Sequence, residues 1–192
     1  MHCIRNSYQC IHQPGTCGID NYDFYVTKNG VQMALDTAAS CSNPTVKIPN
    51  ISSTYTHLQT HIHLSSEHSI DGNFYGAEMH MVHQRIGDDT SSMQYAVIGT
   101  MIEPTAAANN PMFEAWLQRW VAALKTMSPT VCESCWGAYS LEAYDQNVYQ
   151  GFIRKDFWHY DGGLTTPPFS EAVEWNFTTE PMQISVKQYQ TQ

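Results

Sequence analysis

Alternating apolar and polar residues predict β-strands along much of the chain. The alternation at 23–27 and the segment 31–35, separated by turn residues at 28–30, predict a hairpin. An apolar run at 93–102 is typical of a buried central strand. Three more strands are predicted at residues 60–64, 77–83 and 172–177. Asp71-Gly72, between the first two of these, is a turn signal.

One helix is predicted from Asn110 to about Lys125, with Pro111 in its first turn. Its apolar residues recur at spacings of three and four, namely Phe113, Trp116, Leu117, Trp120, Val121 and Leu124. The segments 40–50 and 128–156 are predicted to be loops, apart from a short helical signal at 141–144. We therefore expect one mainly β domain with few helices over residues 21–192, preceded by an irregular arm over residues 1–20.

Composition narrows the classes of function. The 192 residues carry a formal charge of −9, which argues against nucleic acid or an anionic membrane as a partner. A hydrophobic content of 42 % suits a domain with a substantial core. No apolar run approaches the roughly 20 residues that a membrane helix needs.

The cysteines and two Asn-x-Ser/Thr triplets bear on the cellular compartment. Six cysteines permit disulfides, and the triplets at Asn50 and Asn176 would suit a glycosylated protein. Together they favour a secreted or lumenal compartment, while the pairing of the cysteines stays open. Cys132 and Cys135 form a Cys-x-x-Cys without a second pair, so a local disulfide or two free thiols are expected rather than a metal site.

Three histidines form the candidate site. His61 and His63 lie two apart on one predicted strand and so face the same side, and His80 lies on the next predicted strand. Three converging imidazoles leave a fourth tetrahedral position open, which is the arrangement of a catalytic zinc rather than a structural one. The alternative interpretation is a polar surface patch on an acidic protein.

Two polar residues precede the histidines at the same offset. Gln59 lies two before His61, and Glu78 lies two before His80. Each side chain can accept a hydrogen bond from a ring N–H, as the outer partners of metal-binding histidines commonly do. The shared offset favours the metal site over ordinary strand polarity.

Four segments, taken in order, resemble the α-class carbonic anhydrases. They are Gln59-Thr60-His61-Ile62-His63, Ser66-Glu67-His68-Ser69-Ile70-Asp71, Ala77-Glu78-Met79-His80-Met81-Val82-His83 and Leu164-Thr165-Thr166-Pro167-Pro168. The resemblance implies a large, twisted, mostly antiparallel central sheet with zinc at the foot of a cleft. It also implies reversible hydration of CO₂ to bicarbonate and a proton by a zinc-bound hydroxide, with sensitivity to sulfonamide and anion inhibitors.

The resemblance also implies a role for each matching residue. His61, His63 and His80 would hold Zn²⁺. Glu67 would accept a hydrogen bond from the Thr165 hydroxyl, and Thr165 would accept one from the zinc-bound hydroxide. The apolar wall beside CO₂ would consist of Val82, Val97, Leu164, Val173 and Trp175, with Thr166 lining the same cleft. His68 and His83 match structural histidines of the family, not ligands.

The chain departs from the family pattern at several positions. Val31 stands where fast members carry a histidine that exports protons, so turnover should be slower and rescued by imidazole-type buffers. Phe169 replaces a cysteine, the Trp-Gly-Tyr region is not recognisable, and the chain stops at Gln192, where relatives continue. We expect a fragment, a minimal variant or one subunit of a homo-oligomer. A catalytically inactive binding or storage protein on the same scaffold is the alternative function, and a zinc hydrolase is a third.

Overall fold

Twelve strands of the described residues join in one sheet in the computed structural model of this protein. The structure describes residues 4–6, 11–13, 15–16, 22–27, 30–35, 40–48, 52–87, 92–114, 116–118, 136–137 and 156–190. The first six strands are β1 Ile4–Asn6, β2 Ile11–Gln13, β3 Tyr22–Thr27, β4 Gly30–Leu35, β5 Thr45–Lys47 and β6 Thr54–Leu64. The next six are β7 Ala77–Ile86, β8 Tyr95–Ala106, β9 Trp136–Gly137, β10 Phe157–Gly162, β11 Val173–Thr178 and β12 Met182–Ser185.

The sheet is mostly antiparallel, as expected. Its main path runs β1-β10-β11-β8-β7-β6-β4-β3-β9, with β5 attached to β6, β2 to β5 and β12 to β8. Among the described pairs, only β11 and β12 run parallel to their neighbour β8. The predicted hairpin is confirmed, since β3 and β4 pair antiparallel from Tyr22↔Leu35 to Thr27↔Gly30.

Two helical segments lie against the sheet in the part of the chain that the structure describes. The first, α1, comprises residues 111–114 and 116–118, and the second, α2, is Val186–Gln190. Asn110 Oδ1 accepts hydrogen bonds from the backbone N–H groups of Met112 and Phe113, at 3.0 and 3.2 Å, and so caps α1 as its sequence predicts. No helix in the described part of the chain has the length and apolar character needed to cross a membrane. The rest of the predicted helix, the signal at 141–144 and the Cys-x-x-Cys lie outside the described residues.

The alternation of side chains divides the core between the two faces of the sheet. On one face Ile62, Met79 and Met81 pack with residues of β8, α1 and β12, so the two methionines are core residues. The other face carries an apolar cluster made up of Val82, Val97, Met101, Val173, Trp175 and Phe177. Because His61, His63 and His80 alternate with Ile62, Met79 and Met81, the histidines lie on the face of this second cluster.

Four short strands correct the irregular arm and the two loops predicted from the sequence. Residues 1–20 are not uniformly irregular, because β1 pairs with β10 and β2 pairs with β5. The predicted loop 40–50 contains β5, and the predicted loop 128–156 contains β9, which pairs with β3. These strands have two or three residues, too few to show an alternating pattern, and they are defined by pairing with other strands.

Candidate metal centre

The sheet register brings the three histidines together. His61 of β6 lies directly opposite His80 of β7, and His63 follows two residues later on the same face of β6. Between these strands, Ile70 and Asn73 exchange backbone hydrogen bonds of 3.1 and 3.0 Å around Asp71 and Gly72. Both turn residues have positive φ, 51° and 79°, as a turn of this kind requires. The sequence predicted this arrangement correctly.

One nitrogen of each ring points to a common centre. His61 Nε2 lies 2.9 Å from His63 Nε2 and 3.2 Å from His80 Nδ1. The three ligand atoms all lie within 4.8 Å of one another, so a single ion could contact all of them. His80 is fully buried, while His61 and His63 are partly buried. A candidate site with three imidazole ligands is therefore assembled by two adjacent strands.

The outer nitrogens show which ring atoms carry protons. His61 Nδ1 lies 2.7 Å from Gln59 Oε1, and His80 Nε2 is hydrogen-bonded to Glu78 Oε1. Because a carboxylate only accepts hydrogen bonds, His80 donates from Nε2 and keeps a lone pair on Nδ1. By the same reasoning the lone pair of His61 lies on Nε2. Both lone pairs face the common centre, so the donor set fits Zn²⁺, and the i−2 partners predicted from the sequence are present.

Glu78 connects the metal centre to the loop that follows β6. Its Oε2 accepts hydrogen bonds from the backbone N–H groups of Glu67 and His68, both at 2.9 Å, and its Oε1 also accepts one from His68 Nδ1 at 2.7 Å. Burial would raise the pKa of this carboxyl, but the hydrogen bonds from His68 and His80 outweigh it and hold the pKa well below its usual range. His68 Nε2 lies 2.6 Å from the hydroxyl of Tyr160. His68 is therefore structural, as expected, and Tyr160 is a partner that the sequence did not reveal.

The environment keeps two of the three candidate ligands neutral. Burial, followed by the nearby rings of His80 and His63, lowers the pKa of His61 from 6.5 to about 3. Burial and His80 likewise lower the pKa of His63. A neutral imidazole has a lone pair for a metal ion, whereas an imidazolium has none. These two rings are thus ready to bind a cation at neutral pH.

Glu67 and Thr165 do not form the hydrogen bond that the resemblance implied. Glu67 Oε2 instead lies 3.4 Å from His63 Nε2, and no described contact joins its carboxylate to Thr165. The Glu67 backbone is fixed by Glu78, but its side chain is 28 % exposed and can turn. The carboxylate thus lies beside the inward nitrogen of His63.

The loop that carries Thr165 is fixed at both ends. Leu164 N–H donates to Ser170 O at 3.1 Å, and Trp175 Nε1 donates to Gly163 O at 3.0 Å. Phe169 N–H donates to Thr166 O at 3.0 Å and closes a turn within the loop. Thr165 is partly buried and Thr166 is exposed.

An apolar cluster adjoins the metal centre. It brings together five residues that the resemblance placed beside CO₂, namely Val82, Val97, Leu164, Val173 and Trp175. The Trp175 ring centroid lies 4.9 Å from that of His80, so the cluster reaches the ligand set. Met101 and Phe177 also belong to the cluster but were not predicted. The position of Phe177, two after Trp175 on the same strand face, was the available signal.

Known proteins share this architecture. A family model described as eukaryotic-type carbonic anhydrase matches residues 7–192. A carbonic anhydrase of Dunaliella salina is 31 % identical over 169 residues, covering 83 % of this chain and 28 % of that protein. Carbonic anhydrase 4 of Rattus norvegicus is 33 % identical over 152 residues, covering 70 % of this chain and 45 % of the relative.

A solved structure of a carbonic anhydrase is also similar to this chain. The fungal α carbonic anhydrase of Aspergillus oryzae superposes with a TM-score of 0.70 and 25 % identity, over 97 % of this chain and 70 % of that one. The chain thus spans less than half the length of the two curated relatives, and most of the length of the fungal structure. With the model match extending over nearly all its residues, the chain belongs to the eukaryotic-type carbonic anhydrase family.

Proposed function

We propose that this protein hydrates CO₂ reversibly to bicarbonate and a proton, with zinc held by His61, His63 and His80. The convergence of three imidazole nitrogens, with the outer nitrogens of His61 and His80 held by Gln59 and Glu78, is the observation that carries the proposal. Zinc, when bound, acts as a Lewis acid that lowers the pKa of water and so makes a nucleophile available at neutral pH.

The remaining residues act on the substrate. CO₂ is apolar and weakly electrophilic, so it needs a dry pocket next to the nucleophile, and the apolar cluster around Trp175 offers one beside His80. We assign Thr165 to orienting the reactants through its hydroxyl and backbone N–H. This role requires Glu67 to turn its partly exposed carboxylate from His63 toward the Thr165 hydroxyl.

Stopped-flow CO₂ hydration tests the proposal on the purified chain, before and after a chelator. We expect activity that a sulfonamide inhibits, that the chelator abolishes and that added Zn²⁺ restores. His61→Ala should lose both the activity and one equivalent of zinc. Zinc bound at these histidines without CO₂ hydration would refute the enzyme and favour a binding or storage protein.

A separate pair of variants tests Thr165. Thr165→Val removes the hydroxyl and keeps the shape, and we expect it to lower kcat/KM for CO₂ by about 10²-fold, as for a lost oriented donor. Thr165→Ser is the matched control and should keep most of the activity, because it retains the hydroxyl. Equal activity in Thr165→Val and the native protein would exclude an orienting role.

We also propose an oxidising compartment. Cys41 is disulfide-bonded, which supports a secreted or lumenal protein. The triplet at Asn176 gives no such support, since this side chain is fully buried within β11 and leaves no room for a glycan. The triplet at Asn50 lies outside the described residues. A mass shift on reduction and alkylation of the protein isolated from its source would test the disulfide.

A further inference from the structure

A second group of polar side chains lies on the opposite face of the sheet. His159 and Asp161 on β10 are directly opposite Asn176 and Glu174 on β11. Residues two apart on a strand face the same side, so the four form one block. They alternate with Tyr160, Trp175 and Phe177, which pack toward the metal centre, and so point away from it.

Hydrogen bonds in this block indicate which ring nitrogen of His159 carries a proton. Asn176 Nδ2 donates to the backbone carbonyl of Glu174 at 3.0 Å, so its Oδ1 is the atom 3.1 Å from His159 Nδ1. An amide oxygen only accepts, and His159 therefore donates from Nδ1. If the ring is neutral, its lone pair lies on Nε2, which is 3.2 Å from Glu174 Oε2 and 3.4 Å from Asp161 Oδ1.

Three electron-rich atoms thus face one another. Nitrogen and oxygen lone pairs at these distances repel unless a proton or a cation lies among them. This repulsion affects Glu174 most, because its side chain is only 8 % accessible and its Oε2 makes no hydrogen bond of good geometry within the described part of the chain. Burial and the carboxylate of Asp161 raise the pKa of Glu174 to about 7.

We propose that His159, Asp161 and Glu174 form a second divalent-cation site, separate from the three-histidine centre. Their ligand atoms all lie within 4.8 Å of one another. One imidazole and two carboxylates suit a borderline cation such as Zn²⁺, and their combined charge of about −2 neutralises it. Asp161 is 63 % exposed and provides a path from solvent, while the Asn176 amide fixes the His159 tautomer that binding requires.

Calorimetric titration of the metal-free protein with Zn²⁺ tests the site. We expect Glu174→Gln and Asp161→Asn each to bind one equivalent fewer than the native chain. Asp156→Asn, which changes an exposed residue just before β10, is the matched control and should keep the native stoichiometry. Because Asp161 is exposed, Asp161→Asn keeps the test valid if Glu174→Gln fails to fold. Unchanged stoichiometry in a folded Asp161→Asn variant would overturn the proposal.

Two further measurements separate this site from the metal centre and from a simple ion pair. His61→Ala should lose the zinc equivalent of the three-histidine centre and keep the equivalent that Asp161→Asn removes. The two variants therefore test the two proposed sites separately. In ¹⁵N NMR of the imidazole rings, Zn²⁺ should shift Nε2 of His159 away from its metal-free position. A protonated Nε2 that Zn²⁺ leaves unchanged would show an imidazolium between two carboxylates and no cation site.

Discussion

Replacing Glu78 with glutamine tests whether one buried carboxylate sets the proton positions of the metal centre. Glu78 is 0 % exposed, and each of its oxygens accepts two hydrogen bonds. Oε2 accepts from the backbone N–H groups of Glu67 and His68, and Oε1 accepts from the rings of His68 and His80. Glutamine has the same shape but replaces one accepting oxygen with an amide group that only donates.

Both orientations of the new amide are costly. At the position of Oε2 its NH₂ group faces two backbone N–H groups, which cannot move their protons. At the position of Oε1 the NH₂ group faces the N–H at Nε2 of the His80 ring. The ring avoids this contact only by moving its proton to Nδ1, the nitrogen directed at His61. Hydrogen bonds to charged groups contribute about 1.5–3 kcal/mol each, so losing two of them costs about 3–6 kcal/mol. This change of the His80 tautomer preserves stability but removes a lone pair from the metal centre.

Chemical denaturation and competitive zinc titration together distinguish these outcomes. We expect Glu78→Gln either to unfold with a free energy lower by about 3–6 kcal/mol or to bind zinc at least about 10-fold more weakly. Glu103→Gln is the matched control, because Glu103 lies half-buried on β8 and has no hydrogen bond among the described side-chain contacts. Native stability combined with native zinc affinity in Glu78→Gln would refute the reasoning.

Three other predictions concern proton export, pH and packing. With Val31 at the shuttle position, native CO₂ hydration should rise with imidazole buffer concentration, and Val31→His should weaken that dependence; a native rate independent of buffer would contradict this. Because the pKa of His61 falls from 6.5 to about 3 on folding, the unfolded chain binds protons more tightly, and the metal-free protein should lose stability as pH falls through that range. Denaturation midpoints at several pH values measure this loss of stability, and midpoints that do not change with pH would contradict the prediction. A Cβ on Gly99 would lie 2.2 Å from the Phe177 ring, so Gly99→Ala should lower the unfolding free energy by about 1–3 kcal/mol in denaturant titrations. An unchanged midpoint would show that the ring moves aside without cost.

The long strands could be predicted from the sequence because each carries its own pattern. The end of β6 alternates histidine with apolar residues in His61-Ile62-His63-Leu64, and β8 contains a buried apolar run from Ala96 to Ile102. The hairpin of β3 and β4 is marked by both its alternation and its turn. β10 was missed because Phe157–Gly162 has aromatic residues on both faces and the charged residues of the second block on one of them. Its position depends on β1 and β11, which no local window contains.

The candidate site likewise has features that the local sequence predicts and features that depend on tertiary packing. His61, His63, Gln59 and the pairing with His80 follow from strand periodicity and one turn, both of which are local. The contact between His68 and Tyr160 joins residues 92 positions apart, so it depends on tertiary packing. Glu67 has a rotatable, partly exposed side chain, so its place in the sequence does not determine its orientation.

The two proposed sites share β11, and the strand's period explains how they can remain independent. All six residues of β11 are buried, yet Glu174 and Asn176 are polar while Trp175 and Phe177 are aromatic. A slip of one residue would exchange these faces, placing a carboxylate against His80 and an indole among the polar residues of β10. The hydrogen bond from Trp175 Nε1 to Gly163 O opposes such a slip. Because Glu174 points away from the three histidines, the apolar cluster beside them cannot account for a buried carboxylate at this position. When this carboxyl is ionised, its charge is balanced on its own face, and His159 with a cation can balance it there.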